Sequence, residues 1–213
     1  MPLMNTAFEA GKCLEFIDSM ADGPEKQVAF AEYYYFSGQP EKAIEQTELL
    51  LRESDKNIQL SACLIYLYAN LSVGEIQRAR YALTAVQETL ASDTEKHPER
   101  RAVLSFISSA AAVLLHLPLP KELPPTQESL PRLPMGIRMF ALYIIAHGVF
   151  LQKDYQRSLG IIEATLSMQT EEYPIPSIYL HLAAVMDYMS LKQVDKAKRH
   201  LLAAWELAKP DDF

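Results

Sequence analysis

Glycine is scarce in this chain, with seven among 213 residues. So few positions free to take positive φ argue against a turn-rich β architecture. The abundant Leu and Ala, good helix formers, argue for an all-α one. Cysteine is scarcer still: only Cys13 and Cys63, each in an apolar helical stretch with no companion at metal-ligand spacing. Buried free thiols in a reducing compartment are the favoured reading and a single disulfide the other. Long apolar runs are missing, since 110–119 and 139–151 are too short to span a bilayer. Residues 1–20 carry acidic side chains and no continuous apolar core, so no secretory leader and a cytoplasmic location are the expectations. Positive charge is in deficit, with a formal net charge of −7. An acidic surface repels phosphate, so no direct nucleic-acid contact is expected from this stretch.

Catalytic and metal-binding patterns are also lacking. The five histidines (97, 116, 147, 181, 200) include no HxH or HxxxH pair, and none has zinc-type spacing to a cysteine. No serine sits in a GxSxG elbow, and Gly11-Lys12 has no upstream glycine to make a phosphate loop. A binding or interaction protein without cofactor or metal is therefore expected, not an enzyme. His181 should pack against its own helical hairpin, and Lys192, Lys196 and Arg199 should form a solvated helix face.

What is present is a recurring hairpin. In AFAEYYYFSGQPEKAIEQTELLLR (29–52), Gly38 can end one helix in a left-handed conformation, and Pro40 suits the first turn of the next. Ala31 and Ala43 sit where the two helices approach. This order resembles one tetratricopeptide (TPR) unit, a helical hairpin of about 34 residues that stacks on its neighbours. Gly74 follows Gly38, and Ala79 follows Ala43, by the same 36 residues (74 − 38 and 79 − 43). Two positions recurring at one offset mark a repeat.

Along the chain, 5–20 reads as a first helix ended by Asp22-Gly23-Pro24. Hairpins are expected over 24–53 and 58–91. A third, irregular one over 98–130 runs into a proline-rich loop, 117–135, whose prolines forbid a long helix. That loop reads as a covering segment in place of a partner helix. Further hairpins are expected over 135–169, with its corner at Lys153-Asp154 and Ser158 in the small position, and over 176–208, with Ala197 in that position. Tyr173–Pro176 reads as an extended connector. The expected domain is a single right-handed α-α superhelix of these hairpins over 1–213.

In such a stack the first helix of each hairpin lines a concave groove. Aligned on Ala43, Ala79, Ser158 and Ala197, the groove contacts are Glu32, Tyr35, Tyr68, Phe140, Tyr143, His147 and Tyr179. Burying one such apolar side chain is worth about 1.5–3 kcal/mol, so this wall is either filled by a ligand or peptide or closed by the chain itself.

The strings FAEYYYFSGQPEKAIE, LSACLIYLYANLSVGEIQRAR, YQRSLGIIE and YPIPSIYLHLAAVMDYMSLKQVDKAKRHLLAAWELAKPDDF resemble the helical-repeat sensor region of LuxR-type, MalT-like bacterial transcriptional regulators. The resemblance covers most of the chain and is clearest in the last hairpin. It implies a signal-receiving or oligomerising domain, with a protein or small-molecule effector in its groove and a homo-oligomer as one form. The DNA-binding helix-turn-helix and the nucleotide-binding region of that family have no counterpart in these 213 residues. A stand-alone TPR scaffold that binds a peptide or protein is the alternative.

Overall fold

The computed structural model describes residues 1–91, 106 and 130–213. Those residues form nine α-helices and no strand. The fold is all-α, as the glycine-poor, leucine-rich composition predicts. Apart from Phe106 and Leu130, the irregular hairpin expected over 98–130 lies outside the described residues, as does the proline-rich loop before Leu130.

Contacts divide the chain into two compact units: Met1–Leu3, Gly11–His97 and Asp211–Phe213 in the first, Met4–Ala10 and Pro98–Pro210 in the second. In the first unit a short helix α1 (Cys13–Ser19) precedes two hairpins. These are α2 (Pro24–Phe36) with α3 (Pro40–Glu48), and α4 (Lys56–Ser72) with α5 (Ile76–Ala91). A 3-10 turn, Leu49–Arg52, extends α3. Pro24 and Pro40 open their helices at a place where a missing N–H costs nothing. The Asp55 carboxylate caps α4, accepting from the Asn57 and Ile58 amides at 2.8 and 3.3 Å. Val28, Ala31, Ala43, Leu50, Ala62, Ile65 and Ala69 form the core that joins the hairpins, with Ala43 and Ala69 fully buried.

The second unit holds α6 (Met135–Leu151) with α7 (Tyr155–Ser167) and α8 (Pro174–Ser190) with α9 (Val194–Ala208). A 3-10 turn, Leu130–Arg132, leads into α6. Its core gathers Met139, Ala146, Leu159, Ile162, Leu180, Ala184 and Ala197.

All four hairpin corners share one backbone design. Gly38, Gly74, Lys153 and Lys192 have φ of 71, 81, 64 and 60°. The following amides, of Gln39, Glu75, Asp154 and Gln193, donate to Tyr34, Asn70, Val149 and Tyr188 carbonyls at 2.8 to 3.3 Å. The positive-φ residues donate to Tyr35, Leu71, Phe150 and Met189. This paired pattern satisfies carbonyls that the helix end leaves open. The sequence marks the first two corners with glycine, whereas Lys153 and Lys192 take the same conformation against the steric penalty of a Cβ. Lys153→Gly and Lys192→Gly should each raise stability in urea unfolding by about 0.5–1 kcal/mol, and Gly38→Ala should lower it by about 1 kcal/mol. A loss of stability in either lysine variant would contradict the shared corner.

Two expectations are corrected. The helix expected over 5–20 is confined to Cys13–Ser19. Residues 4–10 are not helical: the Phe8 amide donates to the Glu172 carbonyl at 3.1 Å, and Gly11 takes φ 86°. The connector expected over Tyr173–Pro176 is helical from Pro174, with Tyr173 as the cap. Both prolines fall in the first turn, where no amide is needed and no preceding turn meets the ring.

Residues 4–10 are held closely within the second unit. Met4 is buried, and the Ile137 amide at the start of α6 donates to the Asn5 side-chain oxygen at 3.0 Å. Gly136 is buried beneath the Met4 carbonyl, and a Cβ on Gly136 would overlap that oxygen.

Candidate binding surface

In the first unit, α2 carries Glu32 and Tyr35, and α4 carries Tyr68. Glu32 is fully buried, and its carboxylate accepts the Leu3 amide at 2.8 Å. At Glu32, one of the expected groove positions, the chain itself supplies the covering residue. The chain's own residue 3 reaches it, because a buried carboxylate is tolerated only where donors meet it. Tyr35 is half-buried and meets Phe36 edge-on, with centroids 5.2 Å apart. Burial raises its phenol pKa, and a hydrogen bond with the Ser72 side chain works the other way. Tyr68 is half-buried, and its carbonyl accepts from the Ser72 hydroxyl at 2.9 Å.

In the second unit, the four remaining residues come together. Phe140 and Tyr143 of α6 lie 5.2 Å apart, and Tyr179 of α8 meets them at 5.2 and 5.4 Å. Tyr143 stacks on His147 at 6.0 Å, and His147 on Phe150 at 5.9 Å. Ring pairs at these separations and angles add about 0.5–1.5 kcal/mol each beyond area burial, so they fix one another. Phe140 is buried, while Tyr143, His147, Phe150 and Tyr179 are half-buried. The result is a continuous aromatic wall running about three turns of α6, with α8 adding a ring at one end.

Three polar arrangements in this unit were not found by sequence reasoning. Ser158 of α7 occupies the small position, as expected, but its hydroxyl donates to the Asp187 carboxylate of α8 at 2.6 Å. Asp187 is fully buried, and its second oxygen has no hydrogen-bond partner. Burial pushes its pKa up to about 6, against the opposing Ser158 hydrogen bond. Asp187 is the one charged residue in α8, which is the only signal that could have found it.

The second arrangement joins α8 and α9 through His181 and His200, Nδ1 to Nδ1 at 2.9 Å. One ring must donate and the other accept, so the two rings cannot both be protonated while this contact holds. Burial first, and then the other ring, hold His181 down at about 4, and burial also lowers His200. Unfolded histidine takes a proton below about 6.5, so this contribution is intact above that pH and is lost as pH falls towards 4. The expected packing of His181 within its own hairpin is what the structure shows. The third arrangement is the Tyr188 hydroxyl donating to the Glu163 carboxylate, with Lys196 lying 5.3 Å over the Tyr188 ring.

His181 also edges an open cleft of about 510 Å³, lined by Leu166, Gln169, Glu172, Ser177 and Leu207 among others. Both cysteines are free and buried, and burial raises both thiols, to about 12 for Cys13 and about 11 for Cys63. Neither is a nucleophile at neutral pH. Among the described residues, no helix is long and apolar enough to cross a membrane, and no three metal-ligating side chains cluster.

Comparison with protein-family models, with curated proteins and with solved structures yields no match.

Proposed function

We propose that this chain is the sensing and interaction domain of a cytoplasmic LuxR-type transcriptional regulator. An effector or partner protein is received by the concave face of stacked hairpins and biases their curvature or self-association. The contacts are Tyr35, Tyr68, Phe140, Tyr143, His147 and Tyr179. The supporting observation is the aromatic wall of α6 and α8, where four sequence-expected contacts lie within one connected set of rings. Planar rings supply large contact area at low entropic cost, which suits recognition of apolar or aromatic groups. The link to transcription rests on the strings shared with the LuxR-type sensor region. Deleting the gene and measuring transcripts tests it. A regulator changes a defined set of transcripts, and an unchanged profile supports a stand-alone scaffold instead.

A further inference from the structure

The last hairpin exposes what the others cover. Four residues after the small position, Thr47 in α3 and Ile162 in α7 are fully buried. At the matching place in α9, Leu201 is 51% exposed, and its neighbours Leu202 and Trp205 are 57% and 58% exposed. Seven of the fourteen large exposed apolar residues among those described belong to this one hairpin. An apolar face of this kind on a helix marks an interaction surface.

The charges on α9 indicate what covers it. At 100° per residue, Leu202 points almost directly away from the buried Ala197 and Ala204, and Asp195, Lys198, Glu206 and Lys209 lie within about 40° of it. All four are exposed. Asp195 and Lys209 stand seven residues before and after Leu202, and Lys198 and Glu206 four before and after. Each mirror pair has opposite signs. When an identical helix is turned end for end at the level of Leu202, Asp195 comes opposite Lys209 close to the seam, while Lys198 and Glu206 lie at one level on opposite flanks. Each pairing occurs twice, and the two Leu202 side chains meet on the axis. Leu201 and Trp205 fall on one flank of this line, so both copies bring their apolar residues to the same side.

We infer that α9 is a self-complementary docking face for a second copy of this chain, forming a two-fold symmetric antiparallel helix pair centred on Leu202. A closed dimer needs one patch that matches itself, and this face does so in apolar content and in charge order. In the single chain, Lys209 lies 5.7 Å over the Trp205 ring and exchanges that contact for Asp195 of the other copy. The inference uses the outer face of α9 alone and stands whether or not the aromatic wall receives an effector.

Sedimentation of the full chain tests it, with far-UV circular dichroism confirming the fold of each variant. The wild-type chain should be a dimer at tens of micromolar, with the dissociation constant rising at high salt. Asp195→Lys and Lys209→Asp should each weaken dimerisation about tenfold or more, and the double exchange Asp195→Lys/Lys209→Asp should restore it. Leu202→Arg should give a monomer. A wild-type monomer at 100 μM, a double exchange no better than its parents, or a dimer unaffected by Leu202→Arg would each overturn the inference. A monomer would leave the face to a different protein.

Discussion

Gly136→Ala should dislodge residues 4–10 from the second unit and lower stability by about 1–3 kcal/mol. The added methyl lands on the Met4 carbonyl, which is backbone and cannot rotate away as a side-chain tip would. The segment must move, and with it go two anchors: the Ile137 amide on Asn5 and the Phe8 amide on the Glu172 carbonyl. Full exposure of Met4 and Phe8 would cost about 1.5–3 kcal/mol for each, so a loss above the expected range marks complete release of the segment. Hydrogen exchange gives the measurement, since the Phe8 and Ile137 amides should lose protection together. Retained protection with unchanged stability would mean that Met4 does not lie over Gly136.

The second large effect is expected at the α7–α8 joint. Ser158→Ala should cost about 1.5–3 kcal/mol near neutral pH, because it strips a buried carboxylate of the hydroxyl that donates to it. Adding Asp187→Ala should recover much of that loss, since the pair then repeats the Ala43 and Ala69 arrangement of the first unit. The pH dependence separates this from a simple cavity. Asp187 titrates at about 6 when folded, above the usual aspartate value of about 3.9 when unfolded. The folded chain therefore binds the extra proton between these values. The Asp187 contribution becomes more favourable as pH falls through 6 and is complete below about 4. His181, held down at about 4, acts in the opposite sense over a similar window, and the lowering of His200 has the same sign as that of His181. The quantity to plot is thus the difference in unfolding free energy between the wild type and the double variant from pH 8 to 4. A difference that is flat with pH would place the Asp187 carboxyl in water.

The hairpins are legible in the sequence where a residue has only one structural use. Gly38 and Gly74 are read as corners because glycine carries the positive φ cheaply, and Ala43, Ala79, Ser158 and Ala197 because a buried helix crossing admits only small side chains. Lys153 and Lys192 adopt the same corner without any signal of their own, since the following helix and its hydrogen bonds impose it. The non-helical course of residues 4–10 could not be read locally. Phe8, Phe16 and Ile17 suit a helix, and the competing partners, Glu172 and Asp211, lie more than 150 residues away. The Asp211 carboxylate takes the Gly11 and Cys13 amides at 2.7 and 2.9 Å, which sets the start of α1.

The clustering of rings on α6 was legible through period: Phe140, Tyr143, His147 and Phe150 recur every three or four residues and so share a face. Glu32 follows the same period, yet it is buried under the chain's own Leu3, which periodicity along one helix does not encode. The charge mirror about Leu202 was present in the sequence throughout. It gains meaning only when the structure shows that this face of α9 is the outward one.

The binding role is tested most directly by a transcript profile of cells carrying Tyr68→Ala/Tyr143→Ala in the complete gene, compared with the deletion strain. A domain that signals through its aromatic face should reproduce the deletion profile while the variant protein keeps its helical circular dichroism and its abundance. A profile matching the wild type, in a strain background where the deletion changes transcription, would contradict the assignment of these rings as the receiving surface.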